Sequence, residues 1–228
     1  MTDRIADFGV TLVIAPHPDD EVLGCGGVIA RLADAGRDVH VAIATRGRAP
    51  RYSQEGADRV RREALAAHEL LGVTRTHFLD LPAAELDQVP HADLNGAMGR
   101  LFEAVKPDTI FLPFLGDIHL DHQLIFRSAM VAARPRDWHY PLRLYAYETL
   151  SETNWAAPQI EPGFAPNIFI DIHETLERKL AAFACFQSQC GVFPNERSPE
   201  ALRALAMLRG ATVHRYAAEA FVLIREVI

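Results

Sequence analysis

Apolar runs and helix-period segments alternate along this chain. The run Thr11-Leu12-Val13-Ile14-Ala15 has no charged residue and predicts a buried strand over about 10–16. A Gly-rich turn, Gly24-Cys25-Gly26-Gly27, leads into a helix over about 24–35, closed by Gly36. A second strand over about 39–44 is followed by a polar, Arg-rich loop and a helix over about 55–71 that ends at Gly72. The alternation continues with a strand over about 76–81, a helix over about 92–105, a strand over about 109–114 and a helix from His119 to Ala133. Strands near 142–148 and 167–171 flank a loop rich in Pro, Asn and Trp. Leu176, Leu180 and Phe183 then keep helical spacing over about 173–187. Ser198-Pro199-Glu200 supplies a cap, a proline at the first helical position and an acid in the first turn. The apolar run Ala220-Phe221-Val222-Leu223-Ile224 predicts a last strand.

Strands separated by helices imply crossover connections, and therefore a parallel sheet covered on both sides. The predicted fold class is α/β, with a Rossmann-like, mostly parallel central sheet and helices on both faces. Residues 1–228 form one domain, with no repeat and no linker. In the strand order 3-2-1-4-5, strands 1 and 4 are neighbours, and ligands bind beyond their carboxyl ends.

Composition narrows the partners. A chain of 228 residues, 49% of them hydrophobic, can bury a core without disulfides. Its net charge of −7 argues against a nucleic-acid or anionic-membrane partner. Met1-Thr2-Asp3-Arg4-Ile5 lacks the character of a secretory leader, no run approaches a membrane span, and Cys25, Cys185 and Cys190 form no C-x-x-C pair. The expected location is the cytoplasm.

The chemistry sits at two strand ends. Pro16-His17-Pro18-Asp19-Asp20-Glu21 follows the first strand, and His119-Leu120-Asp121-His122 follows the fourth. A lone histidine after a strand is ordinarily a packing or surface residue, and paired acids ordinarily favour a helix N-terminus. Both explanations weaken when the two clusters fall at adjacent strand ends. His17, His122 and one of the two aspartates make a two-histidine, one-carboxylate set with an open position, as in a catalytic metal site. Zn2+ is the default ion, with Fe2+ or another divalent ion also compatible. The remaining aspartate is a general base for water. His119 is a general acid or oxyanion partner, its ring fixed by Asp121. Glu21 is assigned to the helix start.

Two alternatives compete with this reading. Gly24-Cys25-Gly26-Gly27, with Arg46 and Arg48 after strand 2, suggests an NADP-binding Rossmann oxidoreductase. The third glycine of the fingerprint would fall at Ile29, and Asp19, Asp20 and Glu21 occupy the ground a pyrophosphate needs, so the glycines are better read as close helix-to-sheet packing and room for a substrate. A non-catalytic metal- or sugar-binding module would keep the ligands and lack the base and acid that this chain has.

Together these residues resemble the PIG-L/LmbE family of zinc-dependent sugar N-deacetylases, most closely its bacillithiol-type branch. The likeness continues through Thr45-Arg46-Gly47, Arg62-Glu63, Tyr147-Glu148 and Pro166-Asn167-x-Phe169-x-Asp171-Ile172 to Ala218-Glu219-Ala220-Phe221. The resemblance implies His17, Asp20 and His122 as zinc ligands and Asp19 as the base. It further implies His119, supported by Asp121, at the oxyanion and leaving amine. It implies hydrolysis of the N-acetyl group of an N-acetylglucosamine glycoside or nucleotide-linked sugar, by a homo-oligomer (trimer or hexamer). Many relatives carry an acid after Thr-Arg-Gly where this chain has Arg48. Arg46, Arg48 and Arg51 are expected to read a negatively charged aglycone, and Arg62 and Asp80 to contact hydroxyls or charge on the substrate. His68 is expected to be a packing or surface residue, and Cys25 a small buried one.

Overall fold

Strand β1 (Thr11–Ala15) is buried at every position, and so is β4 (Thr109–Pro113). Each can be apolar at nearly every position because each lies between two other strands and under helices on both faces. The structure is a computed structural model that describes residues 4–136, 139–157, 159–160 and 162–228. The remaining strands are β2 (Val39–Arg46), β3 (Arg75–Pro82), β5 (Arg143–Tyr147), β6 (Ile168–Asp171) and β7 (Ala218–Glu226). They form one seven-stranded sheet of order β3-β2-β1-β4-β5-β7-β6. All pairings from β3 to β5 are parallel, and β7 runs antiparallel to both its neighbours. The expected α/β architecture with β1 beside β4 is present.

Alternation along the strands divides the core. Val13, Val41 and Phe111 pack on one face with helices α1 (Asp20–Asp34), α2 (Gln54–Leu71), α5 (Leu176–Ala184) and α6 (Pro199–Thr212). Leu12, Ile14, Ala42 and Ile110 pack on the other with α3 (His91–Val105) and α4 (Leu120–Ala132). Among the described residues, no helix is long and apolar enough to cross a membrane.

One expected boundary is wrong. Helix α1 starts at Asp20, so Gly24-Cys25-Gly26-Gly27 is helix interior and not a turn. Packing outweighs the poor helix propensity of glycine here. A Cβ on Gly24 would lie 2.2 Å from the Tyr147 ring, and one on Gly27 would lie 2.7 Å from Ile172. The glycines let α1 sit close on the sheet, as expected, but contrary to expectation they leave no room for substrate. Cys25 is fully buried among them, as expected.

Helix α1 is also pinned from outside by a buried ion pair. Lys179 Nζ donates to the Leu23 carbonyl at 2.8 Å and to Glu219 Oε1 at 2.6 Å, while Glu219 accepts the Gly27 and Val28 amides at 2.8 Å each. Lys179→Met would leave Glu219 buried without its cation. Loss of one partner in such a pair costs about 3–5 kcal/mol. Urea unfolding of the variant is expected to read a loss of that size; a loss under about 1 kcal/mol would mean that the carboxylate finds water or another donor.

Candidate active site

The parallel register Val13↔Phe111 ends β1 and β4 side by side, so the N-termini of α1 and α4 open onto one point. Each helix start favours carboxylates electrostatically. His17, Asp20 and His122 each direct a ligand atom there, and these atoms all lie within 4.8 Å of one another. His17 Nδ1 is 3.4 Å from Asp20 Oδ2, and His122 Nε2 is 3.2 Å from the same oxygen.

The donor set fits a divalent ion. His122 Nε2 and Asp20 Oδ1 are buried and have no hydrogen-bond partner among the described residues, a costly arrangement that a bound divalent ion would relieve. Both imidazoles are braced on their other nitrogen by a carboxylate, as metal-ligating histidines commonly are. Asp121 Oδ2 lies 3.0 Å from His17 Nε2, and Asp117 Oδ2 lies 2.9 Å from His122 Nδ1. Asp117 in turn accepts from Thr153 Oγ1 at 2.6 Å. His17, His119 and Asp121 form a second close grouping. There, however, Asp121 Oδ2 already accepts the Ala84 amide at 2.7 Å, so this carboxylate is committed to bracing.

Asp19 faces elsewhere. Its Oδ2 accepts from Arg197 Nη1 at 3.0 Å, and Arg197 also meets Ser151 Oγ at 2.7 Å and Glu152 at 3.6 Å. Asp19 is the N-cap of α1, yet its side chain caps nothing; its backbone is left-handed at φ 114°. Such a conformation costs about 1–3 kcal/mol in a residue with a side chain. It turns the carboxylate away from the helix and into the cavity.

Electrostatics separate the groups. Burial pushes Asp19 well above the usual carboxylate range, with Arg197 opposing and Asp20 and Glu21 reinforcing the rise. Burial also acts on Asp20, but the charges of His122 and His17 overcome it and hold this carboxylate well below its usual value. Burial disfavours the charged form of His17, but hydrogen bonds to Asp121 and Asp20 outweigh it and lift the ring to about 9. His122 rises to about 10 against the same burial penalty, through Asp20 and Asp117. His119 falls to about 4, from burial and the nearby charge of His17.

The Asp121 carboxylate does not fix His119, contrary to expectation. It holds His17, and the Asp121 backbone amide instead donates to His119 Nδ1 at 3.1 Å. That contact places the proton of the neutral His119 ring on Nε2.

A cavity of about 570 Å³ opens beside these groups, lined by His17, Asp19, His119 and Arg197 together with Arg46 and Asp80. A hollow of about 610 Å³ lies on another part of the surface, around Phe8, Arg143 and Phe169, and contains none of these groups. The substrate-contact expectations fare unevenly. Arg62 is exposed and does not line the cavity; Arg61 does, with its guanidinium 3.8 Å over the Phe78 ring and 3.1 Å from Asp80. Arg46 pairs with Asp58 at 2.6 Å and Arg51 with Glu85 at 2.9 Å, while Arg48 donates to the Asp80 carbonyl. An anionic aglycone would have to displace carboxylates of this chain from Arg46 and Arg51.

Sequence reasoning misses Asp117, Arg197 and His68. Arg197 precedes the recognisable helix start Ser198-Pro199, but nothing in the pattern ties that loop to a site 178 residues away. His68 is buried, within hydrogen-bond distance of Glu21, so its expected role as a packing or surface residue needs revision.

A model of the PIG-L family, described as GlcNAc-PI de-N-acetylase, matches residues 12–133, which span both clusters. The diacetylchitobiose deacetylase of Thermococcus kodakarensis is 29% identical over 229 residues, covering 92% of this chain and 82% of that protein. The 4-oxalmesaconate hydratase of Pseudomonas putida is 24% identical over 192 residues, covering 78% of this chain and 73% of that one. Among solved structures, a conserved protein from Thermus thermophilus superimposes with a TM-score of 0.78 at 26% identity, with 96% of each chain covered.

Proposed function

Because the chain belongs to the PIG-L family of GlcNAc-PI de-N-acetylases, we propose that it is a metal-dependent amidohydrolase that removes the acetyl group from an N-acetylglucosamine-type amino sugar. The observation that carries this reading is the convergence of His17, Asp20 and His122, with two buried polar atoms that lack a partner, beside the cavity that His17 lines together with Asp19 and His119. The three residues would hold zinc, or iron(II), which when bound supplies Lewis-acid polarisation of the amide carbonyl and a water of lowered pKa.

The chain's own groups supply the rest. Asp19, aimed into the cavity by its left-handed backbone, takes a proton from the attacking water. Neutral His119 donates its Nε2–H to the oxygen that becomes negative in the tetrahedral intermediate. The resemblance implies both roles for His119, at the oxyanion and at the leaving amine, and a ring held near 4 favours the first. The proton on Asp19 then passes to the leaving nitrogen, and the products are acetate and the free amine. Arg46 and Asp80, on the cavity wall, contact the sugar.

A panel of N-acetylglucosaminides assayed for acetate release, with and without chelator, tests the proposal. Release from at least one sugar, abolished by chelator and restored by Zn2+ or Fe2+, is the expected result. The hydratase relative defines the competing chemistry: turnover of an unsaturated acid with no acetate from any sugar would replace this reading.

A further inference from the structure

A buried line of polar groups runs from β3 and α2 to α1 and ends on the backbone of Asp19. Thr76 Oγ1 on β3 lies 2.8 Å from His68 Nδ1, and His68 Nε2 on α2 lies 2.9 Å from Glu21 Oε1. Glu21 Oε2 then accepts the Asp19 amide at 3.1 Å. His68 is 2% exposed and Glu21 is 0% exposed. Each group has one partner suited to it: the Thr76 hydroxyl donates to Nδ1, the Nε2–H donates to Glu21, and the second carboxylate oxygen is left for the amide.

Resting on the reading of Asp19 as the base, we infer that His68 is a positioning residue for it, acting through Glu21. The Asp19 amide fixes the plane of the peptide before Cα and with it the direction in which the carboxylate leaves the chain. The φ of 114° is a conformation that aspartate adopts only when its surroundings impose it. An aspartate at an N-cap ordinarily turns its carboxylate onto the free amides of the first helical turn. Here the amide is held by Glu21, Glu21 is held by His68, and the carboxylate stays toward Arg197 and the cavity. Without the imidazole, the Glu21 side chain loses its brace and Asp19 can relax into the capping conformation, where it is no longer a base for water. Small displacements of a reacting group are costly, about a hundredfold for 1 Å.

The test compares His68→Leu with His68→Gln, whose side-chain amide can replace the Nε2–H. His68→Leu is expected to lower kcat by about ten- to a hundredfold, with KM within about twofold and metal content unchanged. Exchange of the Asp19 amide proton, followed by NMR, is expected to accelerate at least about tenfold. His68→Gln should restore most of both. Native kcat and native Asp19 protection in His68→Leu would overturn the inference, as would metal loss in parallel with kcat. Should His68→Leu fail to fold, Thr76→Val and His68→Gln read the same line: faster Asp19 exchange in Thr76→Val, with His68→Gln near native, supports it, and native exchange in Thr76→Val overturns it. If wild type releases no acetate from any sugar, the functional reading fails, and Asp19 exchange alone still decides whether His68 holds that peptide.

Discussion

Asp19→Asn is expected to lower kcat by about a thousandfold or more, within the range found for removal of a positioned base, while bound metal and KM stay near their native values. The asparagine keeps the size of the side chain and leaves Arg197 its contact with Ser151, so the fold is retained. What disappears is the acceptor, aimed into the cavity, that in the proposed reaction takes a proton from water and returns it to nitrogen. The pH profile carries the same argument. The base works ionised, so kcat/KM falls as pH drops through the Asp19 pKa, which burial sets above the usual carboxylate range. Arg197 opposes that rise, and Arg197→Met therefore shifts the acid limb to higher pH. Release of the metal by Asp19→Asn would instead mean that the two aspartates have exchanged roles, and an unmoved acid limb in Arg197→Met would separate that limb from Asp19.

His17→Ala and His122→Ala are each expected to abolish activity and to leave the purified protein without its divalent ion, as elemental analysis would read. Without the ion, His17 and His122 titrate near 9 and 10, so both carry a charge at pH 7. Each must lose a proton to offer a lone pair. Binding at pH 7 should then release two protons, and affinity should climb by about a hundredfold per pH unit until the His17 value is reached. Calorimetry in buffers of different ionisation enthalpy counts those protons. Zero released, or metal retained in both variants, would remove the site.

The strands are the most legible part of this chain, because β1 and β4 are apolar at nearly every position and no amphipathic helix has that pattern. Their adjacency follows from α/β topology, and with it the meeting of His17 and His122. The start of α1 is misplaced by sequence reasoning because the glycines are taken to form a turn; their close packing is legible, but its partner, the Tyr147 ring, lies in no local window. Arg62 is expected where Arg61 lines the cavity: the pattern finds α2, but one residue on a helix turns the side chain by about 100°. Glu21 reads as a helix-start carboxylate, and it does accept the Asp19 amide; its partner His68 lies 47 residues away. Arg197 escapes for the same reason, since a hydrogen bond across the fold leaves no periodicity behind; Asp117 is only five residues before His122, but it lies outside the His119-Leu120-Asp121-His122 cluster that sequence reasoning singles out.

The pinning of α1 by Lys179 and Glu219 bears on the order in which the protein is made. The ribosome delivers α1 first and β7 last, and 192 residues separate the Gly27 amide from its acceptor. At roughly 5–20 residues per second, the helix that carries Asp19 and Asp20 waits about 10–40 s for the carboxylate that secures it. His122 arrives in between, so both His/Asp clusters exist on the nascent chain before the first helix is anchored. An ion captured at that stage would join β1 to β4 and hold the half-built sheet together while translation finishes.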